Sequence, residues 1–150
     1  AEGNHDLSSS IWLRELFNHY YLSEPRVTVE QSPDPYYAVE HGDVSLFFHH
    51  GHKRKPGNVA DVFAYKFREL FGRTKFSYAH MGHQHHTDVK EGNLMVVEQH
   101  RTLAAKDNHA SSGGWNAGRS STVITYHSRY GEVARQTINS RMVEDQTGRE

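Results

Sequence analysis

The chain contains no cysteine, which removes disulfides, thiolate ligands and cysteine nucleophiles together and leaves only nitrogen and oxygen donors for any metal. That absence points to a cytoplasmic protein. No apolar run reaches the ~18 residues of a membrane span, and the opening Ala1-Glu2-Gly3-Asn4 lacks the charged and apolar regions of an export signal. Neither membrane insertion nor export is expected. A surplus of charge is missing too: 17 Lys and Arg stand against 18 Asp and Glu, for a net charge of -1, so bulk charge does not hold nucleic acid here. Apolar residues are scarce at 35%. They suffice for a lean core, and 150 residues suit one domain.

What the chain has in quantity is histidine, 13 in all, eight of them between residues 41 and 86: His41, His49, His50, His52, His80, His83, His85 and His86. Protonating every one would carry the net charge from -1 toward +12, so the charge state responds strongly to pH. Imidazoles gathered in this way indicate metal.

Apolar positions at Ile11, Trp12, Leu16, Phe17, Tyr20 and Tyr21 recur at helical spacing, which predicts an amphipathic helix over 8–21 capped by Asp6 or a serine. Val27-Thr28-Val29 reads as extended. The runs 36–41 and 44–49, divided by Gly42-Asp43, predict a tight hairpin. Asn58 is the expected N-cap of a second amphipathic helix that carries Val59, Val62, Phe63, Phe67, Leu70 and Phe71 and ends at Gly72. By their spacing, the aromatics of both helices belong to the core. Further strands are expected over 75–80, 94–98 and 121–126, with a Gly/Ser/Asn-rich loop at 108–120 and a frayed polar tail beyond Val143. No repeat or linker divides the chain.

Three short blocks join donor side chains to glycine: Gly3-Asn4-His5-Asp6, His50-Gly51-His52 and Gly82-His83-Gln84-His85. Glycine lets the backbone turn sharply, and strand ends are where α/β sheets bind ligands. Imidazole with oxygen donors suits Mn, Fe or Zn, and two such ions about 3.5–4 Å apart can activate water and polarise a phosphoryl group.

In this order the blocks resemble the C-terminal half of the calcineurin-like metallophosphoesterases. That family's pattern runs Asp-x-His, Gly-Asp-x-x, Gly-Asn-His-Asp/Glu, a His often written His-Gly-His, and Gly-His-x-His. The last three lie within residues 3–85. The resemblance implies an α/β fold, the C-terminal half of an αββα sandwich with a mixed sheet and two amphipathic helices. It implies Asn4, His50 and His83 as ligands of the second metal and His85 as a ligand of the first. His5 would assist the transition state or protonate the leaving oxygen, oriented by Asp6. The two leading motifs are expected ahead of Gly3, so 1–150 reads as a single partial domain in which the first metal lacks three of its four family ligands. Such a half-sandwich exposes a sheet face or edge, which implies a homo-oligomer or a complementing N-terminal segment.

His52 falls on the rim of the implied cleft as a substrate contact, with His86 as a weaker one. Lys53-Arg54-Lys55 follows directly, either to hold phosphates or as a solvated loop. The stretch from Gly113 to Arg119 offers Trp115 for base stacking or for packing. His19, His41, His100, His109 and His127 read as ordinary surface or hairpin residues. The implied activity is metal-dependent hydrolysis of phosphomonoesters or phosphodiesters, with the basic rim and Trp115 favouring nucleotide or nucleic-acid substrates. The alternative is a non-catalytic metal-binding or assembly module.

Overall fold

The computed structural model describes residues 1–104 and 118–147. The elements run α1 (Leu7–Tyr20), β1 (Tyr37–His41), β2 (Val44–His49), α2 (Pro56–Lys66), α3 (Arg68–Arg73), β3 (Phe76–Met81), β4 (Asp88–Glu91), β5 (Val96–Gln99), β6 (Ser120–His127), β7 (Gly131–Asn139) and α4 (Ser140–Thr147). Five strands form a mixed sheet in the order β1-β2-β3-β5-β4, and β6-β7 make a separate two-stranded sheet. This is the α/β class the sequence indicates.

The hairpin turns where Gly42-Asp43 places it, pairing His41 with Val44 and Tyr37 with Phe48. Gly42 sits at φ 62°, and a Cβ there would lie 2.6 Å from the Ser128 carbonyl oxygen. Beyond it, β2 runs parallel to β3 and β3 parallel to β5. Strands covered on both faces read as continuous apolar runs, and Val44-Ser45-Leu46-Phe47-Phe48 is such a run. Phe47, Ala79, Met81 and Val97 face α2, where Val59 and Phe63 complete the buried core. Phe47 and Phe63 stack at 5.1 Å, each contributing about 2–3 kcal/mol through apolar burial. The alternate residues Tyr78, His80 and Glu98 meet β6-β7 on the other face. Helices therefore cover one side and the hairpin the other. Of the expected uncovered sheet face or edge, the face is covered, because β7, unrecognised in the sequence, folds back with β6 as a second layer, while β1 and β4 stand at the sheet edges.

The second helix begins at Pro56, with Lys55 and not Asn58 in the N-cap position. Proline suits the first helical turn, where its missing N–H is no loss. The helix also breaks at Phe67 (φ -114°, ψ 38°). Its ring is drawn toward Phe47 and Phe63, at 5.8 and 6.3 Å, so core packing overrides helical dihedrals. In α1 the spacing is helical but the stripe is uncovered: Trp12 is 77% exposed, Tyr20 75%, and no α1 residue is buried. The expectation that its aromatics join the core is corrected accordingly. Asp6 occupies the cap position without a side-chain bond, Val27–Val29 joins no sheet among the described residues, and the tail continues as α4. Trp115 and His109 lie outside the described residues.

Candidate metal centre

Three turns meet at the C-terminal ends of β2 and β3. The first precedes α1, where the Asp6 N–H donates to the Gly3 carbonyl at 3.2 Å. Gly3 is buried, and a Cβ there would stand 3.2 Å from His50 Cε1 and 3.0 Å from Asp6 Oδ2. Glycine is thus what allows this turn to close on His50. Asn4 Oδ1 then lies 3.2 Å from His50 Nε2.

The second turn, after β2, is locked to the third. The Gly82 N–H donates to the His50 carbonyl at 3.1 Å. Gly51 has φ 107°, and a Cβ there would sit 2.8 Å from the Gly82 carbonyl oxygen. No side chain fits between these backbones. In the third turn His83 takes φ 74° while the Gln84 N–H donates to the Gly82 carbonyl at 3.0 Å, a γ-turn of the strained positive-φ kind. His85 also has positive φ, 57°. Non-glycine residues held this way concentrate at functional sites.

These turns bring three imidazoles together: His50 lies 5.1 Å from His83 and 5.4 Å from His52 between ring centroids, and His52 lies 6.3 Å from His83. Below them His49, 1% exposed, stacks between Tyr36 at 4.6 Å and His52 at 5.8 Å. The Gly51 N–H donates to His49 Nδ1 at 2.9 Å, which leaves the proton on Nε2. Among the described residues that Nε2 has no hydrogen-bond partner, and neither does either ring nitrogen of His52. Unpaired buried donors or acceptors cost about 1–3 kcal/mol each, a penalty typical of a site built to receive a polar guest.

Burial pushes His49 down to about 4, with His52 and His50 adding to the effect. Burial also lowers His50, reinforced by His83 and His52 and opposed by Asp6. His52 moves the same way, through burial and then Lys53. Near neutral pH these rings are uncharged, the form that binds cations. The donor set of one amide oxygen and clustered imidazoles fits a divalent ion of the Mn–Zn group.

Of the residues singled out in the sequence, Asn4, His50, His83 and His52 come together. His5 and Asp6 stand exposed at the edge, where their charges reach His50. His85 is exposed and, among the described residues, makes no hydrogen bond or ring contact. Lys53, Arg54 and Lys55 form an exposed loop. His86 is tied instead to the buried Gln99, Nε2 to Nε2 at 3.2 Å.

The sequence reading missed a second group. On the hairpin face, His80, Glu98 and His100 bring ligand atoms within 4.8 Å of one another and could hold a metal ion. His100 is therefore no ordinary surface residue. Its spacing from Glu98 put the two on one strand face, but that His80 lies opposite depended on the β3–β5 pairing.

The chain matches no protein-family model and no curated protein. Among solved structures it is similar to the crystal structure of a single mutant of Vps29 from Entamoeba histolytica, with 12% identity, a TM-score of 0.46, and coverage of 73% of this chain and 63% of that one. The chain thus spans less than two thirds of that protein. No described helix is long and apolar enough to cross a membrane.

Proposed function

We propose that the strand-end turns form the metal-holding part of a phosphoester hydrolase, with phosphomonoesters or phosphodiesters as substrates and nucleotides or nucleic acid as the favoured class. The observation that carries this reading is the 3.2 Å approach of Asn4 Oδ1 to His50 Nε2 beside the strained His83 turn. Ligand atoms about 3 Å apart suit a common cation with bonds of ~2.0–2.2 Å. Asn4, His50 and His83 hold the ion, and His85 serves a second one. When bound, Mn, Fe or Zn supplies Lewis acidity toward a phosphoryl oxygen and lowers the pKa of water.

The chain's own residues do the rest. His5, exposed at the edge, donates a proton to the leaving oxygen, and Asp6 next to it stabilises the charged ring. Lys53, Arg54 and Lys55 bind flanking phosphates, with His52 behind them. Release of nitrophenol from bis-nitrophenyl phosphate in Mn²⁺ tests the reading, and its dependence on His83 separates the site from contaminating enzyme. The exposed apolar stripe of α1 favours a second reading, a metal-binding assembly module. Metal binding without turnover supports that one.

A further inference from the structure

On the opposite face of the sheet, β3 and β5 place His80 directly across from Glu98. His100 follows two residues on, and its N–H donates to the Met81 carbonyl at 2.8 Å, holding it against the end of β3. All three side chains thus hang from rigid, paired backbone. His80 Nδ1 lies 2.8 Å from His100 Nε2, and one ligand atom from each of His80, Glu98 and His100 lies within 4.8 Å of the other two. We propose that His80, Glu98 and His100 form a second cation site, for a divalent ion of the zinc class, between the main sheet and the β6-β7 hairpin.

The surroundings fit this assignment. Tyr126 Oη is 2.8 Å from His80 Nε2, so Nδ1 is the nitrogen free to ligate while the other is oriented by a polar partner, the usual arrangement around metal-bound histidine. Two imidazoles sharing one proton at 2.8 Å need to part by only about half an ångström to admit a tetrahedral ion with bonds of ~2.0–2.1 Å. Burial lowers both rings, His80 to about 4.

Charge decides the remaining question, because Arg135 already grips Glu98, with Nη1 on Oε1 at 2.5 Å and Nη2 on Oε2 at 2.7 Å. The same guanidinium also bonds Glu132, through Nε at 2.8 Å and Nη2 at 3.0 Å. One cationic side chain therefore faces two carboxylates, and the cluster stands at net -1. A divalent ion can take an oxygen of Glu98 while Arg135 keeps Glu132, which carries the cluster from net -1 to +1.

The test uses the full 150-residue chain carrying His50→Ala and His83→Ala, stripped with chelator and titrated with Zn²⁺ alone. The expected result is one equivalent bound. Adding Glu98→Gln or His100→Gln, both near in size to the original, should weaken that affinity at least tenfold while circular dichroism shows an unchanged fold. In the otherwise unsubstituted chain, Co²⁺ should broaden the NMR signals of the His80 and His100 rings. Failure of the His50/His83 variant to bind Zn²⁺, or binding unmoved by Glu98→Gln and His100→Gln, overturns the assignment, as does Co²⁺ that leaves the His80 and His100 signals sharp. None of these outcomes depends on phosphoesterase activity.

Discussion

Arg135 on β7 and Glu98 on β5 meet fork to fork, two nitrogens on two oxygens, and so bolt the hairpin to the central sheet. The Glu98 side chain is 6% exposed and that of Arg135 36%. Burial pushes the Glu98 carboxyl up, but hydrogen bonding from Arg135 and the nearby His100 outweigh it and leave the group lowered. Removing one partner leaves a buried charge behind.

Arg135→Met should therefore destabilise the chain by about 2 kcal/mol, the buried-pair figure discounted for the solvent around the guanidinium. Urea unfolding measures it. Because the pair joins two layers, hydrogen exchange in β6-β7 should rise more than in β2 and β3. A uniform rise across both sheets would mean that the hairpin does not depend on this bond.

Glycines separate function from space. Gly51→Ala puts a Cβ against the Gly82 carbonyl and forces an alanine to φ 107°, so we expect a loss of about 2 kcal/mol or more together with weaker metal binding at the strand ends. Gly57→Ala is the control. It lies in the first turn of α2 with nothing within 4 Å of the added carbon, and alanine should stabilise by about 0.5–1 kcal/mol. Thermal melts of the two variants, with and without Mn²⁺, provide the comparison.

How much of this was legible in the sequence follows from which contacts are local. The β1-β2 hairpin was readable because Gly42-Asp43 turns it within one short segment, and the strand-end blocks because glycine sits beside each donor. By contrast, β7 was not readable: Glu132 and Arg135 look solvated until the Tyr78 and Glu98 partners are known. At Gly131 a Cβ would overlap the Tyr78 hydroxyl, a contact between segments far apart in the chain. The role of His100 stayed hidden for the same reason, since β5 pairs with β3 across the intervening β4. Burial of His49 against Tyr36 likewise needed the folded sheet.

The uncovered stripe on α1 carries an expectation of its own. Ile11, Trp12, Leu16 and Tyr20 are 58–77% exposed along one helix, which exceeds the scattered apolar exposure of an ordinary surface. Gel filtration at rising concentration should show self-association, and Trp12→Glu with Leu16→Glu should return the chain to a monomer. Association that survives both substitutions moves the interface elsewhere, with the sheet edges at β1 and β4 next in line.

The metal-free chain should lose stability as pH falls, and the sign follows from His80. Its folded pKa, about 4, lies below the ordinary value of 6.5, chiefly through burial and then His100, against Glu98 and Glu132 and with Arg135 adding to the depression. The folded ring stays neutral while the unfolded one takes up a proton, so the unfolded state binds more protons throughout that window. Stability is intact above about 6.5 and declines toward pH 4, by at most roughly 3 kcal/mol for this one ring. His100, lowered in the same direction by burial, adds to the slope. In chelator, the urea midpoint of His80→Gln should depend less on pH between 6.5 and 4 than that of the unsubstituted chain. Parallel profiles would show that His80 is not the responsible group.

Metal loading and turnover should divide between the two ends of the candidate centre. His83→Ala removes a donor from the strained turn, and we expect metal to be lost first, with activity falling as a consequence. His5, exposed and outside the ring cluster, should behave in the opposite way: His5→Ala keeps its metal and lowers turnover by roughly 10²- to 10⁴-fold. A nitrophenyl ester, whose leaving oxygen scarcely needs a proton, should suffer less from that change than an alkyl or nucleoside ester. Asp6→Asn should fall between the unsubstituted chain and His5→Ala, since it retains an acceptor but removes the charge that supports a protonated ring. Elemental analysis alongside steady-state rates on both ester types reads all four expectations. If His5→Ala strips the metal, or slows both esters by one factor, His5 is a ligand or a charge stabiliser and the leaving oxygen takes its proton from another donor.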